Sequence, residues 1–283
     1  MWIASQKANA DALGFVAIQP PLVVSYTMLE KYGPYALIAG ASEGVGAAYA
    51  EALAGRGFSL VLLARRKEKL EAFAAELGGK YPVELVTRAV DVGDFEAVKA
   101  FIDSLNVQIG LLVYNAAYAP LGFFKDMSEE QLMRVAAVNV RGPLALTRLV
   151  LPPMIARGKG GVILMSSLAG TQGSPRLASY AASKAFNAVL AEGLWEELKP
   201  HGIDVIASCA GAILTPGYNQ TQQAGAHGTL TPAQVAEKTL KALGKGPVFV
   251  PGGINKLARF FLMRLMPRKW AIKIMAANTR SLN

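Results

Sequence analysis

Tyr35-Ala36-Leu37-Ile38-Ala39-Gly40-Ala41-Ser42-Glu43-Gly44-Val45-Gly46 passes from a short apolar run through three glycines into helix-period sequence that lasts to about Gly55. The run reads as a buried strand, and the whole stretch as strand, turn and helix. Glycines at 40, 44 and 46 let the backbone turn tightly and approach a pyrophosphate, while free amides at the helix start face the anion. The spacing is Gly-x-x-x-Gly-x-Gly. In a chain with 28 glycines, ordinary turns also produce such triplets. Its place between a strand and a helix is therefore what gives it weight.

The same alternation continues outward. Ser59–Ala64 is a second continuous apolar run, as in strands covered on both faces. Charged helix-period sequence follows over 66–77, then a strand near 83–90 and a helix near 95–105. A strand at 110–114 leads into long helical sequence over 128–157. A strand at 161–166, a helix over 177–198, a strand at 203–208, a helix at 232–243 and a strand at 247–250 complete the pattern. Strands separated by helices of this length form parallel βαβ units with right-handed crossovers and helices on both faces. No repeat and no shift in composition marks a second domain. Residues 215–231, polar and rich in Gly, Gln and Thr, are too long for an ordinary connection and are expected to form a lid or mobile loop.

The 283 residues are 52% hydrophobic and 17% charged, enough for one large core. Mean hydropathy is high at +0.30, yet no window approaches the roughly 18 apolar residues of a membrane-spanning helix. The stretch Leu13–Ile18, closed by Pro20 and Pro21 with only Lys7 ahead of it, lacks the long apolar run of a secretory signal. A lone Cys209 permits no internal disulfide and fits a reducing compartment. The cytoplasm is the expected location. The two histidines and the cysteine lie far apart, so no metal site is expected.

The second strand ends Leu63-Ala64-Arg65-Arg66. An acidic residue there would bond ribose hydroxyls and select NAD. Two guanidinium groups can instead fork onto a 2′-phosphate, so NADP(H) is expected over NAD(H), which stays open as a second cofactor. One of Arg65 and Arg66 is also expected simply to cap the solvated helix start. Farther on, Tyr180 and Lys184 stand four apart on a helix and share a face. An ordinary tyrosine, with pKa of roughly 10, is a poor base at neutral pH, and a nearby ammonium favours its phenolate. Helix surfaces produce this spacing often. Here Ser167 ends the strand Gly161–Ser166, where ligands of parallel sheets bind, Asn115 ends the preceding strand, and Asn139 lies in the helix between.

This ordered set of glycine turn, Asn115, Asn139, Ser167, Tyr180 and Lys184 resembles the short-chain dehydrogenase/reductase family over about Tyr35 to Val250. The resemblance implies an α/β fold, a doubly wound Rossmann-type parallel sheet of about seven strands with helices on both faces. It implies a catalytic tetrad in which Tyr180 is the general acid or base and Ser167 holds the carbonyl oxygen. Lys184 would bond the nicotinamide ribose and tune Tyr180, while Asn139 would hold a proton-relaying water. The implied cofactor contacts are Gly40, Ser42, Glu43, Gly44, Val45, Gly46, Arg65, Arg66, Asp91, Val92, Asn115, Ala116, Gly211, Ile213 and Thr215, with Tyr180 and Lys184. Four positions depart from the family pattern: Ala39 for threonine, Glu43 for a basic or small residue, Ala117 for glycine and Ala210 for proline. Glu43 sets a carboxylate near the phosphates and so weighs against the NADP(H) preference. A homo-oligomer, dimer or tetramer, built through the helices at 128–157 and 177–198 is implied on the same ground.

Within the family, the stretches 47–53 and 149–154 and the basic apolar tail are most like long-chain 3-ketoacyl-CoA reductases and hydroxysteroid dehydrogenases. The implied substrate is a hydrophobic ketone or secondary alcohol, a fatty acyl thioester or a steroid-like molecule. Tyr118, Leu168, Tyr218 and His227 fall on loops beyond strand ends and are the pocket candidates, each also readable as an ordinary loop side chain. A cofactor-sensing or interaction protein that kept the fold without the chemistry is the alternative from another class. The chain divides into an extension at 1–34, a dinucleotide-binding and catalytic domain at 35–253 and a basic apolar segment at 254–283.

That last segment holds seven basic residues (Lys256, Arg259, Arg264, Arg268, Lys269, Lys273 and Arg280) and no acidic one. The other 22 of the chain's 29 basic residues nearly balance its 20 acidic ones. Nucleic acid would want a polar basic surface, whereas these charges are set among Leu, Phe, Met and Trp. Pro267 should split the segment into two short helices. Lys256, Arg259, Arg264, Arg268 and Lys269 scatter around one helical wheel, which favours packing over the substrate pocket or at a subunit interface. Peripheral membrane contact is the alternative.

Overall fold

In the computed structural model, which describes residues 27–214 and 228–280, the run at 35–39 lies inside a seven-stranded sheet. Its strands are β1 (Tyr35–Ala39), β2 (Ser59–Ala64), β3 (Leu85–Ala89), β4 (Ile109–Tyr114), β5 (Gly160–Ser167), β6 (Ile203–Ala210) and β7 (Val248–Phe249). All neighbours pair in parallel, in the order β3-β2-β1-β4-β5-β6-β7. Ten α-helices are described: α1 (Met28–Tyr32), α2 (Gly44–Ala54), α3 (Lys67–Lys80), α4 (Phe95–Ser104), α5 (Glu129–Ala136), α6 (Gly142–Arg157), α7 (Ala178–Leu198), α8 (Pro232–Ala242), α9 (Gly253–Phe260) and α10 (Arg268–Arg280).

Strand alternation sends Ala36 and Ile38 to one core cluster and Leu37 and Ala39 to the other. Tyr49 and Leu53 of α2, Leu70 and Leu77 of α3 and Val235 and Leu240 of α8 cover the first face. Val98 of α4, Leu146 and Val150 of α6 and Ala191 of α7 cover the second. Coverage from both sides is why β4 is buried at every residue and reads as one apolar run. Each large side chain so buried contributes roughly 1.5–3 kcal/mol. The strand order reverses between β1 and β4, which opens a crevice beyond their carboxyl ends.

Two features differ from the sequence expectation. Residues just before β1 form the short helix α1, begun by a capping box of Thr27 and Glu30. Its Tyr32 is buried and donates to Asp204 Oδ2 at 2.6 Å, tying α1 to β6. Five residues are too few to show a helical period. The sequence at 128–157 is also not one helix, because a π-turn at Ala137–Arg141 separates α5 from α6. Such a turn takes one additional residue and leaves the apolar pattern on either side intact, so periodicity does not reveal it. It carries Asn139, which is fully buried.

Gly142, the first residue of α6, lies against Tyr114, whose hydroxyl donates to the Val138 carbonyl. A Cβ at 142 would stand 2.0 Å from that hydroxyl oxygen. Gly142→Ala is therefore expected to lower stability by about 1–3 kcal/mol. Tyr114→Phe removes the clashing atom, so the double variant should lose less than the two single losses added together. Urea unfolding of the four proteins measures this, and strict additivity would refute the steric account.

Candidate active site

The glycine turn leaves β1 with φ of +81° at Gly40 and +58° at Gly44, backbone angles that favour glycine. A Cβ on Gly46 would lie 1.9 Å from the Gly40 carbonyl oxygen and 2.7 Å from Asn115 Nδ2. That nitrogen donates to the Gly40 oxygen at 3.0 Å. Turn, α2 and the end of β4 thus meet with no room for a side chain. Glu43, the N-cap of α2, makes no capping bond with its side chain, so first-turn amides remain for an anion. A cavity of about 500 Å³ extends from this turn past Arg65, Arg66, Asp91 and Val92 to Asn115, Ala116, Tyr118 and Tyr180. Ser42, Glu43 and Val45 line it as well.

Tyr180 and Lys184 lie one turn apart on α7, with Lys184 Nζ 5.6 Å from the centre of the tyrosine ring. Lys184 is 3% exposed, and its Nζ donates to the Met165 carbonyl at 2.9 Å. Asn187 Nδ2 reaches the same oxygen at 3.4 Å. Burial pushes the Lys184 ammonium down to about 8, against a smaller upward pull from Cys209. Burial likewise raises the Tyr180 phenol above its ordinary value, with the Ser167 hydroxyl pulling it part of the way back. Both shifts favour neutral groups, as a low-dielectric pocket should. Ser167, the last residue of β5, accepts the Ala169 amide on its Oγ at 3.1 Å.

Asn139 braces the loop beyond β4. Its Oδ1 accepts the Tyr118 amide at 2.7 Å, while its Nδ2 donates to the Tyr118 carbonyl at 2.8 Å and to Ser183 Oγ at 3.0 Å. Both amide protons are therefore engaged by the protein, and neither is left for a water.

At the end of the cavity beyond β2, Glu43 holds both Arg66 and Lys69. These partners, Lys69 first, keep its carboxyl below the usual range. Arg66 is thus engaged by Glu43, whereas Arg65 is exposed on the cavity wall and makes no ion pair among the described residues. Asp91 is fixed by two partners: its Oδ1 accepts the Gly93 amide at 3.0 Å, and its Oδ2 accepts Arg134 at 2.9 Å. Arg134 lies over the Tyr118 ring, 5.3 Å from its centre. The sequence reading missed Arg134, Lys69 and Ser183. Lys69 was within reach, three residues past Arg66 on a helix. Nothing local joins Arg134 to Asp91.

The remaining expected residues scatter. Gly211 faces Asn255, where a Cβ would stand 2.8 Å from the amide oxygen. Asn255 in turn ties Gly228 to Pro251 through its Nδ2, at 3.0 Å to each carbonyl. Ile213 forms a single bridge with Leu230. Leu168 packs against the second-face core and does not line the cavity, while Tyr118 does line it. Thr215, Tyr218 and His227 lie outside the described residues.

A family model described as short chain dehydrogenase matches residues 34–225. A very-long-chain 3-oxoacyl-CoA reductase of Podospora anserina is 37% identical over 207 residues, 69% of this chain and 60% of that protein. Hydroxysteroid dehydrogenase-like protein 1 of Gallus gallus is 35% identical over 190 residues, 66% of this chain and 57% of that protein. The chain therefore spans less than two thirds of the length of these two relatives. Among solved structures, one from work on 7β-hydroxysteroid dehydrogenase stereoselectivity superposes with a TM-score of 0.82 at 30% identity, covering 88% of this chain and 99% of that one. A short-chain dehydrogenase from Sphingobium yanoikuyae in complex with NADPH gives 0.72 at 29% identity, covering 83% and 97%.

Lys184 provides a pH test. Below about 8 its side chain is charged in both folded and unfolded chains, and the full cost of burying that charge is present. Between about 8 and the ordinary 10.5, only the unfolded chain holds the proton, so this cost falls away and stability rises with pH. The wild type should gain stability relative to Lys184→Met as pH rises through this window. Urea midpoints of both proteins across it provide the measurement, and parallel curves would refute the assignment.

Proposed function

This chain belongs to the short chain dehydrogenase family, and on that footing we propose that it is an NADP(H)-dependent oxidoreductase acting on a hydrophobic ketone or secondary alcohol. One observation carries the reading. A single cavity is bounded by a glycine turn suited to pyrophosphate and also by Tyr180. The turn fits the dinucleotide because Gly40 and Gly46 leave no space for side chains and the amides of α2 are uncapped. Gly40, Ser42 and Gly44 to Gly46 would hold its phosphates, Asp91 and Val92 its adenine edge, and Lys184 the ribose next to the nicotinamide. When bound, the nicotinamide supplies or accepts the hydride.

The chain's own residues handle the oxygen and its proton. Burial keeps the Tyr180 phenol protonated near neutral pH, which suits a general acid that gives its Oη proton to a carbonyl oxygen under reduction. In the reverse direction the same oxygen takes the proton. The Lys184 ammonium beside the ring offsets the charge left on a phenolate. Ser167 Oγ accepts the Ala169 amide and its hydroxyl bonds Tyr180, so the two hydroxyls lie together where both would meet the substrate oxygen. Asn139 acts through the Tyr118 backbone and holds the loop that walls the cavity.

The NADP(H) preference rests on Arg65 at the cavity wall, on the lack of an acidic residue at the end of β2, and on similarity to a structure solved with NADPH. A 3-ketoacyl thioester or steroid-like substrate is supported by the relatives' names. The outer sides of α5, α6 and α7 expose Met133, Leu144, Ile155 and Val189, which supports a homo-oligomer built through these helices.

Tyr180→Phe should lower kcat by about 10²–10⁴ while NADPH affinity is kept. Stopped-flow NADPH oxidation over a panel of hydrophobic ketones checks this, and retained turnover would overturn the role of Tyr180. If the wild type binds NADPH tightly but is silent across the panel, a cofactor sensor is the better reading. Arg65→Ala should raise KM for NADPH by about tenfold or more and leave that for NADH unchanged. Equal effects on both cofactors would remove Arg65 from the 2′-phosphate.

A further inference from the structure

The C-terminal segment turns apolar side chains outward. On α9, Ile254 and Leu257 are each 58% exposed and Phe260 is 53% exposed, while the opposite side buries Asn255. The stripe continues through Phe261 at 47% and Leu265 at 60%. On α10, Ala271 and Thr279 are buried, and Ile272 packs over Gly173 in the loop that follows Ser167. The outer side of α10 shows Trp270 at 62% exposure and Ile274 at 39%. The inner faces therefore cover a loop that follows Ser167, while the outer faces are exposed among the described residues.

The basic residues are also less scattered than one wheel drawn across Pro267 makes them. Within α10, Lys269, Lys273 and Arg280 share one flank of the Trp270 face, by helical spacing. Lys256 flanks Phe260 on α9 by the same rule. The patch reaches the loop after β4. There Phe123 is 58% exposed beneath Arg176, whose guanidinium donates to the Thr279 carbonyl at 2.9 Å.

We infer that this surface docks the protein on an anionic lipid surface, the apolar stripe entering the headgroup boundary and the cationic flank meeting the lipid charge. Charge complementarity selects this occupant. A second copy docked face to face would set the flank of Lys256, Lys269, Lys273 and Arg280 against the same cations. An anionic bilayer supplies both the missing charge and an apolar layer. No helix among the described residues is long and apolar enough to cross a membrane, so the contact is one of surface. It places the loop after Ser167 next to the bilayer. Docking does not depend on the hydride-transfer reading.

The test uses the full chain with vesicles of equal parts phosphatidylcholine and phosphatidylglycerol, and with vesicles of phosphatidylcholine alone. Co-sedimentation with the anionic vesicles only, weakening with added salt, is expected, with a blue shift in tryptophan emission that Trp270→Phe abolishes. Lys273→Gln should weaken binding by about fivefold, and Leu257→Gln with Phe261→Gln should weaken it further. Turnover of a water-soluble ketone by these variants should match the wild type, which separates loss of docking from loss of chemistry. Three results would overturn the inference: full-length protein left in the supernatant with anionic vesicles, binding untouched by the apolar substitutions, or Trp270 shielded from quencher before lipid is added. The last would mean that another copy or another part of the chain covers the patch.

Discussion

One backbone carbonyl, that of Gly40, sets how closely three elements approach. It accepts Asn115 from the end of β4 and lies where any side chain on Gly46 would have to go, and the Gly40 amide donates to Leu63 of β2 at 2.8 Å. The ends of β1, β2 and β4 and the start of α2 therefore meet at one residue. From there the parallel register carries position across the sheet. Ala39 pairs with Tyr114, and Tyr114 with Leu164, which sets Met165 and Ser167 at fixed heights beyond the crevice. Lys184 then hangs from the Met165 carbonyl. Fold and candidate site are set by the same few backbone contacts.

The buried ammonium is held without a counter-charge. It has a carbonyl for a partner rather than a carboxylate, and burial pushes it down to about 8. The same surroundings push Tyr180 toward its neutral form. In a medium of low dielectric, each group feels a change of charge on the other more strongly than it would in water. A site of this kind gains responsiveness at the expense of stability, which is a common trade where chemistry is done.

What could be seen in the sequence was what local rules control. The strand, turn and helix at 35–54 were legible because glycines at 40 and 46 answer to backbone geometry, and Tyr180 and Lys184 because helical spacing alone puts them on one face. The π-turn was hidden because it preserves the apolar pattern around Asn139. The engagement of Arg66 by Glu43, and of Asp91 by Arg134, joins residues 23 and 43 positions apart and had no local mark. In the tail, the grouping of Lys269, Lys273 and Arg280 is visible only when α10 is taken apart from α9, because no single helix runs through Pro267.

Two of the missed residues, Ser183 and Arg134, complete a contiguous chain with Asn139, Tyr118 and Asp91. Ser183 Oγ donates to the Tyr180 carbonyl at 2.7 Å and accepts Asn139, which holds both backbone groups of Tyr118. Arg134 stacks on Tyr118 and bonds Asp91 at the far edge of the cavity. Helix α7 is thereby joined to the Asp91 edge of the cavity without passing through the glycine turn. The bonds of Asn139 join residues far apart in sequence and pair atoms that would otherwise be left unpaired in the interior, while Arg134 and Asp91 meet at a partly exposed edge. Buried polar chains of this kind specify one arrangement more than they add stability, since each donor has a single satisfactory partner. Fixing Tyr118 and Asp91 to the helix that carries Tyr180 keeps the two ends of the cavity at one separation, a requirement that a long dinucleotide imposes and a small ligand does not.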